Sequence, residues 1–223
     1  MGQRHQVYLN LPPVFFNAGN PNNRGPKVVG FHHQWLYGWR AVRSLDRAIR
    51  FFDKTKDEKF GLLTGTAREA GAALAALYSV EEATGYYHGV HEFQPPRTTY
   101  KDGALVKLEG DWELANPFAA DNNDGITVIE HNGPRGRWAY CFYSLGNTEG
   151  EIPLARGCYE AAHYLLSYYP TLTKDQEFLA EATPVLARLA QVPVLDEADM
   201  KRIFPALDPA GTWYAESHSA AAE

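Results

Sequence analysis

Phe31-His32-His33-Gln34-Trp35-Leu36-Tyr37-Gly38-Trp39-Arg40 joins two kinds of periodicity. Before it stands the apolar run Val28-Val29-Gly30-Phe31, and residues 27–32 read as a short strand. After it, Val42, Leu45, Ile49 and Phe52 recur at spacings of three and four with charges between them. That pattern predicts an amphipathic helix from about Gly38 to Asp53. A strand that hands over to a helix through two histidines and an amide makes this junction the centre of the chain.

Working outward toward the N-terminus, residues 3–11 alternate. Gln3, His5, Val7 and Leu9 fall on one face and Arg4, Gln6 and Tyr8 on the other, which predicts a strand. Residues 12–26 carry Pro12-Pro13 and Asn20-Pro21-Asn22-Asn23-Arg24-Gly25-Pro26, the composition of an irregular loop long enough to bind something. Toward the C-terminus, Thr66 and Glu69 form a capping box that opens an Ala-rich helix through Leu74 and Leu77, with Gly85 as its stop. Leu105-Val106-Lys107-Leu108 reads as a strand, and His88-Gly89-Val90-His91 as a histidine pair whose glycine weakens a helix. Residues 126–130 and 138–144 read as a hairpin, preceded by the turn Asp121-Asn122-Asn123-Asp124-Gly125. Residues 155–169 predict one helix with Cys158, Ala162, Leu165, Leu166 and Tyr169 on a stripe. Thr173-Lys174-Asp175-Gln176 reads as a second capping box, Pro184 as the opening of a new helix, and residues 196–204 as a short capped helix ended by Pro205.

The fold expected is α+β: a small, mostly antiparallel sheet made of the N-terminal strand, the second short strand and the 126–144 hairpin, packed with four to six helices. Residues 1–207 are expected to form a single domain and 208–223 a frayed tail. At 223 residues a chain buries enough surface to need no staple, and an apolar share of 45% argues against wholesale disorder. Cys141 and Cys158 are the only cysteines, too few for a disulfide framework, and read as reduced thiols. The polar start offers no secretory leader, and no apolar run approaches a membrane span, so a soluble cytoplasmic protein without a membrane partner is expected. A net charge of −6 excludes the basic footprint of a duplex nucleic-acid binder. The 13 tyrosines and 5 tryptophans suit a wet pocket, an interface or a Tyr-rich core.

Three polar clusters fall on or beside strands: Gln3-Arg4-His5-Gln6, His32-His33-Gln34 and Asp121-Asn122-Asn123-Asp124. Polar groups near a core must be hydrogen-bonded or cost several kcal/mol each. Gly2-Gln3-Arg4-His5-Gln6, His32-His33-Gln34-Trp35-Leu36-Tyr37-Gly38 and Asp121-Asn122-Asn123-Asp124-Gly125-Ile126, with Ala139-Tyr140-Cys141-Phe142, resemble a family of uncharacterised proteins. The resemblance implies no activity; it implies that the three islands belong together, as one site or one structural knot.

Two functions from different classes follow. In the first, the islands build a small-molecule or nucleotide-type ligand site, with hydrolysis assisted by a divalent transition metal as its catalytic version. His5, His33 and Asp124 are then the acid/base groups or metal ligands. Gln3, Arg4, Gln34, Tyr37, Arg40, Asp121 and Asn123 are the ligand-binding residues. Adjacent strand residues face opposite ways, so only one of His32 and His33 can serve. A variant of this reading places an anion at the helix start near Tyr37 and Gly38, held by free amides, Arg40, Arg43 and Arg4. In the second, the same residues form a buried hydrogen-bond network in a non-catalytic homo-oligomeric, assembly or interaction protein. An EF-hand at Asp121 fails because Ala120 and His131 stand where ligands are required. Cys141, Ser44 and Ser79 lack the strand-turn-helix setting of a nucleophile.

Overall fold

The structure is a computed structural model. It describes residues 4–11, 27–34, 36–55, 74, 77–78, 87–93, 97–101, 104–109, 125–131, 138–146 and 150–204, with backbone only for Arg4, Leu11, most of 27–34, Thr55, 87–93, 97–101 and 104–109. The fold is α+β. Strands β1 (Arg4–Leu11), β2 (Lys27–Gln34), β3 (Tyr87–Phe93), β6 (Ile126–His131), β7 (Trp138–Ser144) and β8 (Gly157–Tyr159) form one sheet in the order β3-β2-β1-β6-β7-β8. Strands β4 (Arg97–Lys101) and β5 (Ala104–Glu109) pair separately. Every neighbouring pair in the main sheet is antiparallel except β1 and β6. Among the described residues the longer helices are α1 (Gly38–Thr55), α2 (Ala161–Tyr168), α3 (Gln176–Leu189) and α4 (Glu197–Ile203).

The sheet is covered on both faces, which is why β6 and β7 are buried at every position. One face carries Val7, Leu9, Ile129, Trp138, Tyr140 and Phe142. Against it pack Ala41, Val42, Leu45, Ala48, Ile49 and Phe52 of α1, at the spacing of one helical stripe, with Tyr164 and Leu165 of α2 and Val185 and Leu189 of α3. The other face carries Tyr8, Ile126, Val128, Ala139, Cys141 and Tyr143 under Leu195, Met200, Ile203 and Phe204. Each fully buried leucine or phenylalanine contributes roughly 1.5–3 kcal/mol of transfer free energy, so the α1 stripe is a major source of stability. The Trp138 indole N–H also donates to Asp53 Oδ1 at 2.9 Å, tying β7 to the far end of α1. Beyond β8, the outer edge of β7 is completed by residues 193–195: Tyr140 N–H donates to the Pro193 carbonyl at 3.1 Å and Leu195 N–H to the Tyr140 carbonyl at 2.8 Å.

Several elements differ from their sequence expectation. Strand β2 runs to Gln34 rather than His32, because its ladder with β1 continues to the pair Arg4–Gln34. Residues 155–169 are not one helix. Gly157 adopts φ 150°, Cys158 lies on β8 opposite Tyr143, and α2 starts only at Ala161. The cap of α3 is Asp175, which accepts from Phe178 N–H at 3.0 Å, while Thr173 lies inside a 3₁₀ turn over Leu172–Lys174. Pro184 is interior to α3 rather than its start. Docking of Ala182, Val185 and Leu189 onto the core outweighs the local cost of a proline there. His88 and His91 lie on strand β3, so no helical spacing relates them. Leu74 and Tyr78, one helical turn apart, are helical and fully buried, while Thr66, Glu69 and the tail from residue 205 lie outside the described residues. No described helix is long and apolar enough to cross a membrane.

Candidate functional site

Pairing of β1 with β2 places Gln34 opposite Arg4, His33 opposite His5 and His32 opposite Gln6. Further out, β3 sets His88 opposite His32 and Tyr87 opposite His33. On the other side of β1 the parallel strand β6 begins with Ile126 opposite Gln6. The first two polar islands therefore meet at one end of the sheet, and the strand that follows the third starts beside them. Gly125 leads into that strand at φ 83°, and a Cβ there would stand 2.6 Å from the Tyr143 carbonyl oxygen, so the backbone demands glycine. Gln3, Asp121, Asn123 and Asp124 lie outside the described residues, as do the side chains of Arg4, His33 and Gln34.

His5 is fully buried. Its Nε2 is 2.6 Å from Thr127 Oγ1, and its ring lies tilted 6.4 Å from that of Tyr164. Tyr164 in turn stacks on Phe142 at 4.1 Å and accepts a hydrogen bond from Gly38 N–H at 3.3 Å. The first amide of α1 is thereby satisfied by a phenol. Gly38 sits at φ 53° with the Tyr169 ring 3.0 Å from where a Cβ would be. Tyr37 is half-buried against Tyr168, and Arg40 points outward as an exposed side chain. No group of three or more His, Cys, Asp or Glu side chains is placed to hold a metal ion among the described residues.

The opposite sheet face holds a second polar network, whose members share no pattern along the chain. Glu130, 2% exposed, takes Nη1 and Nη2 of Arg202 at 2.7 Å each and Nδ2 of its register partner Asn10 at 2.8 Å. Arg202 also reaches Asp199, whose own carboxylate closes the capping box of α4 with Asp196. The Glu130 carboxylate holds the Arg202 proton above its ordinary affinity. These charge-assisted bonds make the network the lock that fixes α4 onto the sheet.

A third cluster is open to solvent. Trp39, Arg43, Asp46, Arg47 and Arg50 lie on one side of α1, and Glu181, Val185 and Arg188 on the facing side of α3. Between them is a cleft of about 180 Å³. Asp46 is nearly enclosed and takes Nε and Nη2 of Arg188 at 2.8 Å each, with Arg50 Nη1 at 3.7 Å. Arg43 Nη1 meets Glu181 Oε1 at 2.9 Å, and Arg47 Nη1 approaches the Leu77 carbonyl at 3.4 Å. The two halves of the cleft share no pattern along the chain, Arg188 standing 142 residues from Asp46.

Compared with protein-family models, curated proteins and solved structures, the chain finds no match.

Proposed function

We propose that this chain binds a small anionic compound, with a phosphate- or carboxylate-type head group seated in the cleft between α1 and α3. The observation that carries this reading is the charge count of the cleft: four guanidinium groups line it against two carboxylates. Guanidinium forks match such oxygens bidentately, and each charge-assisted bond contributes about 1.5–3 kcal/mol. Trp39 and Val185 supply an apolar wall. At about 180 Å³ the cleft is smaller than the roughly 300–1,000 Å³ of sites that swallow a whole ligand, so it suits a head group whose remainder lies outside. This keeps the anion-binding variant expected from the sequence and moves its anchor from the start of α1 to the side of that helix. The test is NMR of the arginine Nε–Hε groups during titration with inorganic pyrophosphate. Saturable shifts that vanish in the Arg43→Ala/Arg50→Ala double variant are expected. Unchanged arginine signals at millimolar pyrophosphate would remove the proposal.

A second reading concerns the histidine end of the sheet. Register brings His5 and His33 together, which supports the expected His/Gln/Asp centre, including its version with a divalent metal at His5, His33 and Asp124. The complete burial of His5 and its bond to Thr127 favour the other expectation, a buried hydrogen-bond network, with His5 positioning β1 against β6. Elemental analysis of chelator-free protein separates the two: one zinc or manganese ion per chain supports the hydrolytic centre, and the absence of both metals supports the network.

A further inference from the structure

Strands β7 and β8 and helix α4 each bring one sulfur-bearing side chain to the sheet face opposite His5. Cys141 is fully buried, and its Sγ lies 3.7 Å from Met200 Sδ. Cys158 on β8 is half-buried beside the same apolar cluster, and its register partner Tyr143 stands two residues from Cys141 on β7. Both cysteines are free thiols. Neither the cleft nor the histidine network uses them.

We infer that Cys141, Cys158 and Met200 form a binding site for copper(I). Thiolate and thioether sulfurs are the donors that select this soft cation over harder divalent ions. A metal–sulfur bond near 2.3 Å places two donors of a trigonal site about 4 Å apart, close to the Cys141–Met200 separation. Zinc is the poorer occupant, because its structural sites take four donors, commonly thiolate and imidazole, and here the third donor is a thioether. A direct disulfide is also the poorer outcome. Cys158 is opposite Tyr143, which makes it diagonal to Cys141, and diagonal positions stand roughly 7–8 Å apart. That exceeds the usual disulfide span, whereas a bridging metal lengthens the link.

The surroundings suit the charge. Two thiolates and one copper(I) leave a single negative charge. Arg156 donates from Nε to the hydroxyl of Tyr143 at 3.2 Å, and Tyr143 is the register partner of Cys158. A guanidinium therefore stands on the Cys158 side of the site. Asp199, which also weighs on Cys141, is paired with Arg202. Leu195, Met200, Ile203 and Phe204 keep the Cys141 side dry, and Cys158 at the outer strand gives the ion its way in. On binding, each thiol proton passes to solvent and its sulfur electron pair goes to the metal, with no change of oxidation state.

The test is an anaerobic titration of the reduced full-length chain with copper(I) held by a coloured chelator, followed by copper X-ray absorption. One copper per chain in an all-sulfur shell is expected. Cys158→Ser changes only the half-buried donor, and Met200→Leu conserves core volume, so both are expected to fold with unaltered circular dichroism. Cys158→Ser should weaken copper binding by more than the roughly 10–100-fold typical of losing an outer-shell partner, and Met200→Leu should weaken it less. Failure of the parent chain to take copper from the chelator overturns the assignment. So does a Cys158→Ser chain that binds as tightly as the parent, or an absorption spectrum dominated by nitrogen and oxygen.

Discussion

At the scale of single residues, His5 and Gly38 decide how the polar end of the sheet is built. His5 ties β1 to Thr127 of β6 at that end. Replacing it with Ala leaves the Thr127 hydroxyl buried without that partner and opens a space beside Tyr164. His5→Ala is expected to lower stability by about 2–4 kcal/mol, read from urea unfolding. A loss below about 0.5 kcal/mol would show that the site is not a stabilising knot. Gly38 combines a positive φ with a ring against its missing Cβ. Gly38→Ala is expected to cost about 1–3 kcal/mol and to change the near-ultraviolet signal of the tyrosine cluster it displaces. Neither cost was visible in the sequence. The histidine was conspicuous there, but Thr127, 122 positions away, was an ordinary strand residue.

At the scale of elements, α3 shows local preference and tertiary packing in conflict. Pro184 lacks the N–H that would reach the Ala180 carbonyl, yet the helix runs through it. Its side is exposed, while Ala182 and Val185 are buried on either side. Pro184→Ala is therefore expected to raise stability by about 1–2 kcal/mol, the helical gain less the entropy returned to the unfolded chain. An unaltered or lower urea midpoint would contradict that account. The same conflict explains which parts of the fold were legible. Elements with strong period, α1, β1 and the β6–β7 hairpin, could be read because their buried faces repeat along the chain. Residues 157–159 could not, since Cys158 and Tyr159 fit a helical stripe equally well and only pairing with Phe142 and Tyr143 makes them a strand. Of the site, the clustering of the first two islands was legible in strand alternation. The Arg188 side of the cleft and the Glu130–Arg202 lock were not, because each joins positions with no shared pattern.

At the scale of the whole molecule, the core is rich in buried acids of high ordinary pKa. Burial pushes Tyr140 up to about 12, and also raises Tyr8, Tyr78, Tyr143 and Tyr169 above the ordinary 10.0 and Cys141 above 9.0. Above these ordinary values the unfolded chain loses protons that the folded chain keeps. Stability from these groups is then complete below about pH 9 and falls as pH rises from there through their folded pKa values. The urea midpoint is expected to be flat from pH 7 to 9 and to collapse by pH 11, with tyrosinate absorbance appearing together with unfolding. Tyrosinate formation at an unmoved midpoint would count against burial of these phenols. The second lock has its own signature. Glu130→Ala leaves Arg202 with Asp199 alone and removes a partner of Asn10, so a loss of about 1–3 kcal/mol in urea unfolding is expected.

The bonding of residues 193–195 along β7 carries a consequence for biosynthesis. A ribosome must pass residue 195 before the backbone groups of Tyr140 meet their last partners. Until then a nascent polypeptide holds out a ready-made seam to any extended segment nearby. Messages cut short before codon 193 should accordingly yield products that clump, whereas those ending just past 204 should stay dispersed.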